Sequence, residues 1–251
     1  MRNMLLILAY DGTDFAGWQR QPDAPTIQGC VEEALGKLLG EKVAVCGSGR
    51  TDAGVHALNQ AANFKTSSTI PKENLVKALN NLLPSTIRIK KAHEVPGKFH
   101  ARYDARAKTY RYRILQAPVC SPFLCRFVCH YPYPLDRQRM AEAARLLEGE
   151  HDFTSFAASE GGDADDGPKS MVRTLWRSRF LWRPRTSILV YEARGNGFLH
   201  HMVRNIVGTL IDVGRGKTEP QDLVQILAAR DRTRAGPTAP AQGLCLLKVE
   251  Y

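Results

Sequence analysis

Residues 108–115 read KTYRYRIL, and their alternation decides the architecture. Tyr110, Tyr112 and Ile114 fall on one face of an extended chain, Arg111 and Arg113 on the other. Side chains alternate across a strand with a period of two, so this segment has one apolar and one polar face, as strands of antiparallel sheets do. Toward the C-terminus, Leu135–Leu147 is expected to form a helix, and Val172–Trp182 and Thr186–Ala193 paired strands joined through Pro184. Phe198–Val213 reads as a long apolar helix ended by Gly214, Pro220–Ala229 as a further helix, and Leu244–Tyr251 as a closing strand. Toward the N-terminus the element order is similar. Met4–Tyr10 suits a buried strand, and Thr26 caps a helix with Ile27, Val31, Leu35, Leu38 and Leu39 as its stripe. Lys42–Cys46 and Asn59–Lys65 follow as strands, Pro71 starts a helix with Leu75, Leu79 and Leu82 inward, and Thr86–Val95 returns as a strand. There is no steady βαβα rhythm, so the reading is α+β with a mainly antiparallel sheet and helices on one side. A boundary near residue 105 divides two similar halves, 1–105 and 106–251, without a clear sequence repeat. Residues 159–169, with GGDADDG at their centre, are expected to be a mobile loop.

With 251 residues the chain is long enough for one large domain or two smaller ones. Lys plus Arg number 35 against 25 Asp plus Glu, a formal charge of +10, which favours a polyanionic partner. The excess recurs at Arg102–Arg113, Arg173–Arg185 and Arg230–Arg234, which fits a broad basic surface better than a disordered arm. Six cysteines occur without a C-x-x-C pair. Cys120, Cys125, Cys129 and His130 lack the tight paired spacing of structural zinc sites, so reduced thiols are expected and no metal. The apolar run Met4–Tyr10 is too short for a membrane span and has no cleavage region after it. These features predict a cytoplasmic protein with no membrane association.

Residues 47–57 read GSGRTDAGVHA. Asp52 lies between Arg50 and His56 among glycines that let backbone approach a ligand closely. Two readings compete: a carboxylate reagent beside a guanidinium, or a glycine turn whose Asp caps its own backbone. The usual nucleotide motifs fail. Gly216-Lys217-Thr218 ends like a P-loop but has Ile211 where the first glycine must stand, and a fingerprint begun at Gly47-Ser48-Gly49 meets Asp52 at its third glycine. There is no G-x-S-x-G elbow and no H-E-x-x-H. His200 and His201, adjacent on an expected helix, should point in different directions, which favours packing or hydrogen bonding over metal ligation.

Further segments match a known family in order. They are Tyr10-Asp11-Gly12-Thr13 with Gly17-Trp18-Gln19-Arg20-Gln21, Gly49–Ala57, Phe99-His100-Ala101-Arg102-Tyr103 and Lys108-Thr109-Tyr110-Arg111-Tyr112. His151–Phe156, Phe198–Gly208, Ala229–Thr233 and Gln242-Gly243-Leu244 complete the set. With these the chain resembles the TruA family of tRNA pseudouridine synthases along essentially its whole length. It departs at Gly161–Gly167 and in the cysteine cluster. The resemblance implies isomerisation of uridine to pseudouridine in the anticodon stem-loop of tRNA. It also implies two halves sharing one sheet with a basic cleft between them, a homodimer, and no metal or cofactor.

The reaction breaks the N1–C1′ bond, turns the uracil and rejoins it through C5, so its atom balance needs no cofactor. A carboxylate serves either by attacking C1′, as in retaining glycosidases, or by taking a proton near that centre. The resemblance assigns that carboxylate to Asp52 and leaves nucleophile and base both open. It implies base stacking for Tyr110, help in holding out the flipped nucleotide for Arg50, a counter-ion role for Arg204 and a pocket wall for Leu244. On pattern alone Tyr110 and Leu244 are core strand residues and Arg204 is a helix residue reaching solvent. A non-catalytic RNA-binding protein shares the charge and the aromatics but has no need of Asp52. A phosphate-binding small-molecule enzyme fits poorly, since both nucleotide motifs fail.

Overall fold

A computed structural model describes residues 1–158 and 170–251. The loop expected at 159–169 lies outside the described residues. In chain order the strands are β1 (Arg2–Tyr10), β2 (Cys46–Gly47), β3 (His56–Thr66), β4 (Ile87–Val95) and β5 (Ala107–Leu115). They continue with β6 (Cys129–His130), β7 (Gly149–Asp152), β8 (Val172–Arg183), β9 (Ile188–Gly195) and β10 (Leu244–Glu250). The helices are α1 (Ile27–Leu39), α2 (Lys72–Leu82), α3 (Arg137–Arg145), α4 (Met202–Gly214) and α5 (Asp222–Ala229). The class is α+β, with mainly antiparallel pairing. Contacts divide the chain into Met1–Arg106 with Cys245–Tyr251, and Ala107–Leu244. Among the described residues no helix is long and apolar enough to cross a membrane.

In the first unit the strand order is β4-β1-β3-β10, with β2 added on β3. β1 is paired antiparallel on both sides, which is why its residues are apolar almost without alternation. The last strand joins in parallel, Cys245 opposite His56 and Leu246 opposite Ala57. α1 begins where Thr26 accepts from Gly29 N and ends at Gly40, whose φ of 69° only glycine adopts cheaply. Two expectations need correction. The strand at Lys42–Cys46 shrinks to Cys46–Gly47, because Val45 N donates to Glu32 Oε1 and Val45 O accepts from Gln28 Nε2, both on α1. The inward leucine at the end of α2 is Leu83 and not Leu82, which is 47% exposed. The chain leaves the helix at Leu83 in an extended conformation, ahead of Pro84, and that turns the next side chain into the core.

The second unit orders its strands β5-β9-β8-β7, with β6 beside β5. β8 and β9 form the expected hairpin through Pro184–Thr186. α4 is buried over nearly its whole length. It starts at Met202 and not Phe198, because His201 sits in the left-handed region with φ 59° and interrupts the helix. Gly214 does not end α4 by its backbone. It is the last helical residue, and its missing side chain admits Met140 of α3, whose Sδ would lie 2.6 Å from an added Cβ.

Gly208 shows the same close packing against backbone, since an added Cβ would stand 1.6 Å from Pro237 O. A Gly208→Ala variant is expected to lose about 1–3 kcal/mol or more of stability, because a peptide must move. Denaturant unfolding measures it, and a midpoint equal to the parent's would contradict this packing.

Candidate active-site loop and basic sheet face

The Gly-rich stretch runs from β2 to β3 and is held from beneath by buried side chains. Gln60, fully buried on β3, donates through Nε2 to Gly49 O at 2.9 Å, and its Oε1 accepts from Ser48 Oγ at 2.6 Å. Tyr10 at the end of β1 places its hydroxyl 2.8 Å from Thr51 Oγ1. Burial holds that hydroxyl well above its ordinary titration range, against the hydrogen bonds from Thr51 and Gln60, so it stays neutral. On the other side Trp18 N donates to Thr51 O at 3.0 Å. Glycines are required at two of these contacts. An added Cβ on Gly47 would fall 2.5 Å from the Trp18 indole, and one on Gly17, at φ 96°, 2.6 Å from Thr51 O. The turn after Asp52 closes through backbone, with Val55 N donating to the Asp52 carbonyl at 3.1 Å and Gly54 at φ 76°. Asp52 is half-buried and Arg50 exposed, with Arg50 Nε donating to Gln19 Oε1 at 3.2 Å. The Tyr10-Asp11-Gly12 segment locks on beside them, where Gly12 N donates to His56 Nδ1 at 3.0 Å.

Tyr110, Arg204 and Leu244 belong to the second unit, Arg50 and Asp52 to the first. Tyr110 is 7% exposed, and its ring meets Phe198 edge-on at 5.0 Å. Arg204, in the first turn of α4, is more than a helix residue reaching solvent. Its Nε donates to Ala239 O at 2.8 Å while Ala239 N donates to Arg204 O. The segment after Ala239 is tied to β5 as well. Tyr112 Oη donates to Pro240 O at 2.7 Å, and Gly243 lies so close that an added Cβ would be 2.5 Å from the Tyr112 ring. One framework therefore ties Arg204 and Tyr112 to the segment that leads into buried Leu244. Asn205 extends it, donating to Phe156 O and accepting from Arg232 and Thr238.

His200 and His201 do not diverge as adjacent helical residues would. They precede the helix, and their ring centroids lie 4.0 Å apart. The six cysteines are free thiols.

Strand register gathers the dispersed arginines. Arg111 lies opposite Glu192, which lies opposite Arg179, and Thr109 and Arg177 flank Arg194 in the next row. Residues opposite one another across a ladder share a face. The bulge between Leu175 and Arg177 leaves Trp176 exposed with the Arg194 guanidinium 4.9 Å from its ring. Glu192 is the acid at the centre of this basic face, accepting from Arg177 at 2.6 Å and Arg111 at 3.3 Å. Burial pushes its carboxyl up, but the hydrogen bonds and charges of the two arginines outweigh that and hold it below the ordinary glutamate value.

The family described as tRNA pseudouridine synthase matches this chain over residues 6–104 and 143–251. A tRNA pseudouridine synthase A of Solibacter usitatus is 55% identical over 251 residues, covering 100% of both chains. Proteins of the same name from Caldicellulosiruptor bescii and Brevibacillus brevis are each 48% identical with the same coverage. A solved 3-hydroxy-3-methylglutaryl-coenzyme A reductase from Streptococcus pneumoniae aligns at 12% identity with a TM-score of 0.22, over 93% of this chain and 60% of that one. That likeness is too slight to bear on the fold.

Two substitutions test these supports. Gln60→Leu strands a buried hydroxyl and a carbonyl, so a loss of about 1–3 kcal/mol is expected, and parental stability would show that the loop does not depend on Gln60. For Glu192, a depressed native pKa means stability present above the unfolded value near 4.3 and lost as pH falls through the native one. The parent should exceed Glu192→Gln in melting temperature at pH 7, and the gap should close as pH drops below 4. A gap independent of pH would contradict the ion pairs.

Proposed function

The chain belongs to the tRNA pseudouridine synthase family, and on that premise we propose that it isomerises uridine to pseudouridine in the anticodon stem-loop of tRNA, with Asp52 as the reacting carboxylate. The observation that carries the assignment is the immobilisation of residues 48–52 by Gln60, Tyr10 and Trp18. A half-buried carboxylate on a loop with so many backbone anchors is pre-organised, which is what a group acting on one sugar atom requires. As nucleophile, Asp52 forms a bond to C1′ while N1 leaves, and the uracil, after turning, displaces it through C5. As base, it takes the proton from C2′ as N1 leaves, which gives a C1′–C2′ double bond, and it returns that proton to C2′ when C5 joins C1′. In either course C5–C1′ forms, the C5 hydrogen passes to solvent and N1 gains a proton, so the balance closes without a cofactor.

The other residues take roles suited to their surroundings. Tyr110, its ring plane set by Phe198, offers an aromatic face to the splayed uracil, an interaction of ~1–3 kcal/mol. Arg204, its guanidinium oriented through Ala239, supplies positive charge to the reacting carboxylate. Exposed Arg50 holds the RNA with the target nucleotide out of its stack, and Leu244 forms an apolar wall. The arginines around Glu192 bind phosphates. The reading includes a homodimer and a cytoplasmic setting.

With tRNA carrying tritium at uracil C5, the protein should release label to water. No release from any tRNA by folded protein sinks the proposal. Asp52→Asn should retain tRNA affinity and lose turnover by a factor on the order of 10³ or more. Full turnover in that variant removes Asp52 from the chemistry, whereas a parent that binds tRNA and releases no label is better described as a basic RNA-binding scaffold.

A further inference from the structure

We propose that residues 98–104 form a second RNA contact, a platform on which one unpaired nucleotide of the tRNA stacks at a distance from the target uridine; this rests on the tRNA reading above. The segment includes Phe99-His100-Ala101-Arg102-Tyr103, to which neither the fold nor the chemistry has given a role. Tyr103 is 70% exposed. Its ring lies 4.3 Å from that of His100 with an interplanar angle of 31°, and the Arg102 guanidinium is 5.8 Å from its centroid.

The turn presenting these groups is tightly held. His100 N donates to Asp104 Oδ2 at 2.9 Å, and Asp104 N donates back to His100 O at 3.1 Å. His100 Nδ1 accepts from Arg102 N at 3.1 Å and Tyr103 N at 3.4 Å, which fixes its ring and places its proton on Nε2. Beneath lies a buried amide pair. Asn3 Nδ2 donates to Pro96 O at 3.0 Å and Phe99 O at 2.8 Å, Asn63 Nδ2 donates to Asn3 Oδ1 at 3.0 Å, and Ala101 N donates to Asn63 Oδ1 at 2.8 Å. Tyr251 Oη donates to Ala101 O at 2.9 Å, and its ring lies 4.9 Å from Phe99.

A turn with this many anchors does not owe its shape to Tyr103, whose ring faces water. An aromatic face with an imidazole on one side and a guanidinium nearby suits a nucleotide, the base stacked on the ring and the phosphate near Arg102. Lys98 and Arg106 are exposed close by in sequence against one acid, Asp104, which favours a polyanion over an acid-poor protein surface. The position is set by β1. Asn3 anchors the platform and Tyr10 the Asp52 loop, seven residues apart on that strand, or roughly 23 Å. The stacked nucleotide is therefore not the one being isomerised.

The test is tRNA affinity at fixed salt. Tyr103→Ala should raise Kd at least about fivefold with an unchanged melting temperature, while Tyr103→Phe stays within about twofold. Arg102→Ala should lower the salt slope by about 0.7–0.9. Tyr103→Trp should give an emission that changes on tRNA addition. Unaltered affinity in Tyr103→Ala, from a parent that isomerises tRNA, overturns the platform and leaves the function standing. A change in self-association with parental affinity for tRNA overturns it in favour of a contact between copies. A parent that neither binds nor isomerises any tRNA overturns the function and the platform together.

Discussion

A single buried side-chain amide organises the reactive end of the first unit. Gln60 uses its donor on Gly49 and its acceptor on Ser48, in a place where water is excluded. Backbone polar groups of a loop normally rely on solvent, and inside a protein they need partners. By supplying these from the middle of a strand, Gln60 lets a glycine-rich loop lie flat on the core while remaining defined. Tyr10 and Trp18 then hold Thr51 from two sides, so Asp52 follows a residue that has little freedom left. The glycines at 17 and 47 are the counterpart of this arrangement, giving space and not flexibility.

The second unit reaches a similar result with other means. Its organiser is α4, an element so buried that its polar residues must all be answered. Asn205 answers Phe156, Arg232 and Thr238, and Arg204 clasps Ala239 through both main chain and side chain. The extended segment before β10 is thereby bound to the helix and, through Tyr112, to β5. On the sheet face carrying Arg111 and Arg113, one glutamate restrains two arginines and so keeps a dense positive surface compatible with folding.

Much of the fold could be read from periodicity. The alternation in residues 108–115 recurs as β5, and the stripes of α1 and α2 and the β8–β9 hairpin follow from local pattern. The misreadings share a cause, because each depends on a partner distant in sequence or on a backbone angle. Lys42–Val45 look like strand, yet α1 side chains take the Val45 backbone groups that a ladder would use. Phe198–His201 continue the apolar stripe of α4, but a left-handed His201 breaks it, and composition carries no mark of that angle. Asp52 stood out through glycine spacing and family resemblance, whereas Gln60, Asn205 and Glu192 did not. A polar residue inside an apolar strand or helix was the available signal for all three, and it tells that a partner exists without telling which.

The return of Cys245–Tyr251 to the first unit gives the chain an order of assembly. Those residues pair with β3 and reach Ala101, yet they follow the whole of residues 107–244 in the sequence. On a growing chain the first unit can collapse early, but the stretch of β3 at His56 and Ala57 lacks its β10 partner until the second unit has been made. Such a far-separated pairing is slow to form and leaves a strand edge exposed meanwhile. The short, parallel register of two residues at that junction keeps the unfinished edge small, a modest template for neighbouring chains during synthesis.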